Sequence, residues 1–191
     1  HPKRETPRTA ENQGASLLGA IANTASTTSG ASVSEGGNAV LGDVASAVSI
    51  IEFNDFACPE CKLFFQDVQP KIFEEFIRTG KAHLVLRDYP LYGDTSLRAA
   101  EAAECAGAQG SYWAYAEQLF KAQSPGDESA FAAEHLKKIA STVSLDMKQF
   151  KTCLDTEQYR GEVEHDAEDA AAAGITQTPT FIINGKVFAG P

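Results

Sequence analysis

A β-branched and aromatic run, Val48-Ser49-Ile50-Ile51-Glu52-Phe53, passes directly into Asn54-Asp55-Phe56-Ala57-Cys58-Pro59-Glu60-Cys61. Beyond the second cysteine, Leu63, Phe64, Phe65, Val68, Ile72, Phe73, Phe76 and Ile77 recur at helical spacing. A second strand is predicted at His83-Leu84-Val85-Leu86-Arg87, so the segment opens a βαβ unit. A Cys-x-x-Cys pinned between a strand and a helix constrains the chain more than any other feature. It puts the first sulfur at a helix amino terminus, where unpaired N–H groups and the positive end of the macrodipole favour an anion. Pro59 suits the first helical turn, Pro70 is expected to kink this helix, and Thr79-Gly80 should end it.

The middle of the chain reads as helical. Helices are predicted over residues 96–109, 112–123, 128 to about 140, 146–154 and 157–173, the last closed by Gly174 as a C′ residue. The Tyr112 to Phe120 stripe has core spacing and is expected to pack this block onto the β/α part. Strands return at residues 180–183 and 186–189, turned by Asn184-Gly185, a strong hairpin signal. The fold class is therefore α/β, with helices inserted at about 95–173 between the early strands and the final hairpin.

Residues 1–38 contain no aromatic residue and are rich in Ala, Ser, Thr and Gly, so they read as a flexible leader preceding a domain at 39–191. The patch Leu17 to Ala22 is too short to span a bilayer, and no run in the chain approaches the roughly 18–20 apolar residues that spanning needs. The formal net charge is −10, nearly all of it carried after residue 49, which argues against a general binder of nucleic acid phosphates.

Four cysteines are too few to replace a hydrophobic core, so position must explain them. Cys58 is the expected accessible nucleophile, and Cys61, one turn into the helix, is placed to resolve a mixed disulfide. Bringing a thiol pKa from about 8.5 to about 7 takes roughly 2 kcal/mol of preference for the anion. Glu60, between the sulfurs, opposes this and should make Cys58 a milder thiolate. Half a zinc site or a static disulfide are the alternatives. Zinc would need two more ligands, and Cys105 and Cys153 do not form a second Cys-x-x-Cys. No metal and no organic cofactor is expected.

Ile51-Glu52-Phe53, Phe56-Ala57-Cys58-Pro59-Glu60-Cys61 and Thr178-Pro179-Thr180-Phe181 resemble the thioredoxin superfamily. The inserted helices, with Ala102-Ala103-Glu104-Cys105 and Cys153-Leu154-Asp155, make the chain most similar to the DsbA-like thiol-disulfide oxidoreductases, from about Val40 to Pro191. The resemblance implies a thioredoxin-like fold with an inserted helical subdomain. It implies a cis Pro179 that forms a substrate platform with Thr178, a buried Glu52 that exchanges a proton with Cys61, and a second disulfide between Cys105 and Cys153. Elementary chemistry agrees on two points. A proline at a strand start lacks a ladder donor, and a carboxyl among Ile50, Ile51 and Phe53 should have a raised pKa if buried. Buried free thiols remain the alternative for Cys105 and Cys153. Family members usually continue into a terminal helix, whereas this sequence stops at Gly190-Pro191, so that helix is expected to be missing.

The implied activity is disulfide exchange with protein or peptide thiols through Cys58 and Cys61, most simply as a dithiol oxidase recharged by an unidentified redox partner. A reductase or isomerase of the same fold, or a non-catalytic binding module, are the alternatives. The implied compartment is extracytoplasmic, the periplasm or cell envelope, with any membrane tether upstream of His1. Elsewhere, Glu162, Asp166 and Asp169 share a helical face and read as a solvated acidic surface rather than a calcium site; His135 and His165 read as surface residues.

Overall fold

The computed structural model describes residues 39–190; the expected leader at 1–38 lies outside the described residues. Among the described residues five strands form one sheet: β1 (Val40–Leu41), β2 (Val48–Asn54), β3 (Ala82–Asp88), β4 (Thr180–Ile183) and β5 (Lys186–Ala189), in the order β1-β3-β2-β4-β5. β2 and β3 are parallel, with Glu52 opposite Leu86 and Asn54 opposite Asp88, as the βαβ pattern requires. The remaining pairings are antiparallel, β4 and β5 forming the hairpin turned at Asn184-Gly185. The two-residue edge strand β1 had no sequence signal; Trp113 Nε1–H secures it by donating to Val40 O at 3.1 Å.

The helix after Cys58, α1, runs over residues 59–77 and alternates between two geometries. Pro59–Leu63 and Gln69–Ile72 are α-helical, and Phe64–Val68 and Phe73–Ile77 are π-helical. Pro70 has no N–H for a regular i→i−4 bond, and the chain accommodates it with wider turns on either side, Gln69 N–H donating five residues back to Phe64 O. The inserted block comprises α2 (Asp94–Gly107), α3 (Tyr112–Ala122), a 3₁₀ turn (Glu128–Phe131), α4 (Ala133–Thr142), α5 (Met147–Asp155) and α6 (Arg160–Ala172). The single helix predicted over 128–140 is thus divided at Ala132, whose extended ψ of 147° interrupts it.

Strand alternation assigns the two sheet faces. Ile50 and Leu84 pack against Ile72, Phe73, Phe76 and Ile77 of α1, while Ile51, Phe53, Val85 and Ile182 pack against Ala170 and Ala173 at the end of α6. The Tyr112 to Phe120 stripe joins the helical block to the active end: the Phe120 ring lies 5.2 Å from Phe56 and 4.7 Å from Phe65.

The acidic surface expected on α6 requires correction. Asp166 is buried and Asp169 partly so, because Arg87, 1% exposed, reaches them from β3; its Nε donates to Asp166 Oδ1 at 2.6 Å and a terminal nitrogen to Asp169 Oδ2 at 2.8 Å. Asp166 also accepts from Asp88 N–H at 3.1 Å. A guanidinium buried in a sheet needs such partners, and α6 carries them across the strand ends. His165 is exposed, as expected, whereas His135 on α4 is half-buried.

Cys105 on α2 and Cys153 on α5 are joined in a disulfide, their Cα atoms 5.9 Å apart. Replacing both by serine should lower stability by about 4 kcal/mol on the chain-entropy model for a loop of this length. Urea denaturation of the double variant beside the parent measures the loss. A difference below about 1 kcal/mol would mean that α2 and α5 are held by packing alone.

Candidate active site

Cys58 is the N-cap of α1, with extended backbone at φ −77°, ψ 120°. Its Sγ accepts from Cys61 N–H at 3.4 Å, the position a side-chain cap takes at a helix start, and Pro59 fills the first turn. As a thiol, Cys58 donates to Thr178 O at 3.3 Å, and its sulfur lies 3.5 Å from Glu60 Oε2. As a thiolate it is stabilised chiefly by the Cys61 thiol donating to it. Burial opposes this, while the Thr178 side chain and the N–H groups of Cys61 and Glu60 assist, and the pKa falls to about 7. Cys61 behaves oppositely. Burial first, then the Cys58 sulfur and the charges on Cys58 and Glu52, push its pKa far up. The two free thiols therefore divide into one that ionises near neutrality and one that keeps its proton.

The expectation of an accessible first sulfur also needs correction. Cys58 is only 1% exposed and Cys61 fully buried. The cover is the turn before β4, where the Thr178–Pro179 peptide is cis and Pro179 is buried. This turn is anchored from the last strand: Gly190 N–H donates to Pro179 O at 2.9 Å, and Gln177 Nε2 to Gly190 O at 2.6 Å. A side chain at Gly190 would put Cβ 2.8 Å from Pro179 O, so only glycine permits this approach.

Glu52 is 1% exposed, between Leu86 and Phe181 on the sheet, and its Oε2 has no hydrogen-bond partner among the described residues. Burial, reinforced by negative charge on Cys58, pushes its pKa up to about 8. A carboxyl in that state can hold or release a proton beside Cys61 at neutral pH.

Four residues that shape the site were missed in the sequence. Asp55 is buried, and its carboxylate accepts four hydrogen bonds. Oδ1 takes Ala57 N–H at 2.7 Å and Ser96 Oγ–H at 2.6 Å; Oδ2 takes Leu91 N–H at 2.6 Å and Tyr92 N–H at 3.2 Å. One side chain thus ties the turn before Cys58 to the loop after β3 and to the start of α2. An Asx-turn at Asp55-Phe56-Ala57 was the available signal. Gln123, at the end of α3, donates through Nε2 to Phe56 O at 2.5 Å and Cys58 O at 2.9 Å; nothing local in the sequence marks it. Leu91 and Tyr92 remain 43% and 53% exposed beside this turn.

A sulfur that ionises near neutral pH on a helix amino terminus, a buried sulfur one turn on, and a cis-proline turn over both define a thioredoxin-fold thiol-disulfide oxidoreductase. A family model described as thioredoxin matches residues 34–191, and the chain belongs to that family. Disulfide bond formation protein D of Bacillus subtilis is 32% identical over 154 residues, covering 79% of this chain and 69% of that protein. The crystal structure of oxidised BdbD from Bacillus subtilis superposes with a TM-score of 0.77 at 29% identity, over 88% of this chain and 91% of that one. The DsbA structure from Chlamydia trachomatis has a TM-score of 0.74 over 86% and 89% of the two chains; at 20% identity it shows the shared fold.

Glu52 supplies a pH-dependent prediction. Its folded pKa lies above the ordinary carboxylate value of 4.5, so its contribution to stability is complete below that value and is lost as pH rises through about 8. In the reduced protein, Glu52→Gln should match the parent near pH 4. Above pH 8 it should be more stable than the parent, by on the order of 5 kcal/mol. Urea midpoints at the two pH values test this, and a constant difference would mean that Glu52 titrates like a surface carboxylate.

Proposed function

We propose that the protein is a dithiol oxidase for protein or peptide substrates outside the cytoplasm, with Cys58 as the sulfur that meets substrate. The observation that carries this reading is the split between the sulfurs, one stabilised as a thiolate at a helix terminus and the other protonated and buried beside Glu52. Stabilising the reduced form as a thiolate makes the corresponding disulfide the better oxidant.

In the proposed cycle a substrate thiolate attacks Cys58 of the Cys58–Cys61 disulfide, and Cys61 leaves and takes up a proton, with Glu52 as its source. A second substrate thiolate attacks the substrate sulfur and releases Cys58 as thiolate. The substrate loses two electrons as its disulfide forms, and the enzyme pair gains them. A redox partner able to accept two electrons through dithiol exchange then restores Cys58–Cys61. The Thr178–Pro179 turn serves as the platform for extended substrate backbone, and Glu60 tempers the Cys58 thiolate.

The extracytoplasmic assignment, the periplasm or cell envelope, is supported by the Cys105–Cys153 disulfide, since such bonds persist in oxidising compartments. It is further supported by relatives named for disulfide bond formation. No helix among the described residues is long and apolar enough to cross a membrane.

Oxidation of a dithiol peptide by the oxidised protein, beside insulin reduction by the reduced protein, tests the direction. The parent should be faster in the first assay; Cys58→Ser should abolish both, and Cys61→Ser should accumulate a substrate–Cys58 mixed disulfide. Inactivity of the parent in both assays would favour a binding module. Glu60→Gln should move the thiolate absorbance transition of Cys58 below its value of about 7, the Glu60 carboxylate being 3.5 Å away. An unchanged or raised transition would remove Glu60 from its tempering role.

A further inference from the structure

We propose that Glu60 and Tyr92 form a subsite that selects substrates carrying a basic residue next to the reacting cysteine. The proposal rests on the oxidase reading above and adds to it the class of peptide the site takes.

A groove of about 420 Å³ runs beside Cys58, lined by Glu60, Leu91, Tyr92, Gln177, Thr178 and Gly190 among others. It adjoins the reactive sulfur, because two of its lining residues, Thr178 through O and Glu60 through Oε2, lie 3.3 and 3.5 Å from Cys58 Sγ. A substrate cysteine bonded to Cys58 therefore has its neighbouring residue in this groove. Glu60 is exposed there, and among the described residues no Lys, Arg or His lines the groove. Lys62, the nearest cation in sequence, is engaged elsewhere, its Nζ donating to Gln123 O at 3.0 Å.

Opposite charge is thus left for the substrate to bring. Tyr92, 53% exposed, lies within electrostatic reach of both Cys58 and Glu60, so a Lys or Arg side chain that pairs with Glu60 can also lie against its ring. The wall is held in place rather than adaptable, since the N–H groups of Leu91 and Tyr92 both donate to Asp55, three residues before Cys58. A cation on the substrate also favours the thiolate of the attacking cysteine. An acidic neighbour would face Glu60 directly.

The test uses the oxidised full chain in excess over four dithiol peptides that differ only in the residue beside the cysteine, Lys, Gln, Leu or Glu. Loss of peptide thiols is followed in a single turnover at low salt, and rates are expressed per peptide thiolate. Reversing one unit charge at close range should favour Lys over Glu by about tenfold. In Glu60→Gln the ratio should fall to within about twofold, in Glu60→Asp it should persist, and salt should compress it. Because each ratio is taken within one variant, a change in Cys58 reactivity cancels. Glu134→Gln on α4, a side chain 90% exposed, should leave the ratio at the parent value; a fall equal to that in Glu60→Gln would trace the preference to overall charge and overturn the proposal. An unchanged ratio in Glu60→Gln, or a preference for Leu over Lys in the parent, would also overturn it while leaving the oxidase reading intact. Failure of the parent to oxidise any of the four peptides would overturn both.

Discussion

Negative charge has to be held on one sulfur, in a place that is otherwise closed to water, and the active end of the molecule is arranged around that requirement. Burying a thiolate is costly unless donors compensate. Here most come from one helical turn, the Cys61 thiol and the N–H groups of Cys61 and Glu60, and the Thr178 side chain adds to them; all favour the anion at Cys58. The same anion makes ionisation of Cys61 and Glu52 unfavourable. One negative charge is therefore accommodated among three titratable groups, the arrangement that the proposed proton exchange between Glu52 and Cys61 requires.

Such a turn works only if its surroundings stay fixed. Asp55 and Gln123 provide this from opposite directions, Asp55 by gathering four donors from three segments and Gln123 by donating to two carbonyls of the Phe56–Cys58 turn. Gln123 closes α3, so the helical block is mechanically part of the site. The Phe56, Phe65 and Phe120 rings continue that contact as apolar packing. On the opposite sheet face, Arg87 and its two aspartates fasten α6 to β3. The disulfide between α2 and α5 then restrains the block internally.

Much of this was legible in the chain, and particular residues show where legibility ended. The strand, the Cys-Pro-Glu-Cys turn and the following helix are contiguous, so local periodicity and capping chemistry place Cys58 at a helix start without tertiary information. Asn184-Gly185 likewise specifies its hairpin. Asp166 misled because its partner Arg87 lies 79 positions away; on its own helix it looks like one more solvated carboxylate. Cys58 was expected to be open for a related reason. Its cover comes from Thr178, 120 residues on, through a carbonyl whose position no side-chain pattern encodes.

The chemistry and the secondary structure near it can be read from the chain alone: two sulfurs one turn apart, a carboxyl on the preceding strand, and a proline and a glycine-bearing hairpin far downstream. These follow from interactions between residues close in the chain, where backbone geometry leaves few choices. Closure of the fold settled which groups are buried together, and hence which sulfur ionises, which acid stays protonated, and which loop borders the groove beside Cys58. Those properties depend on desolvation and on hydrogen bonds between distant segments, and both exist only once the sheet, α1 and the helical block have closed on one another.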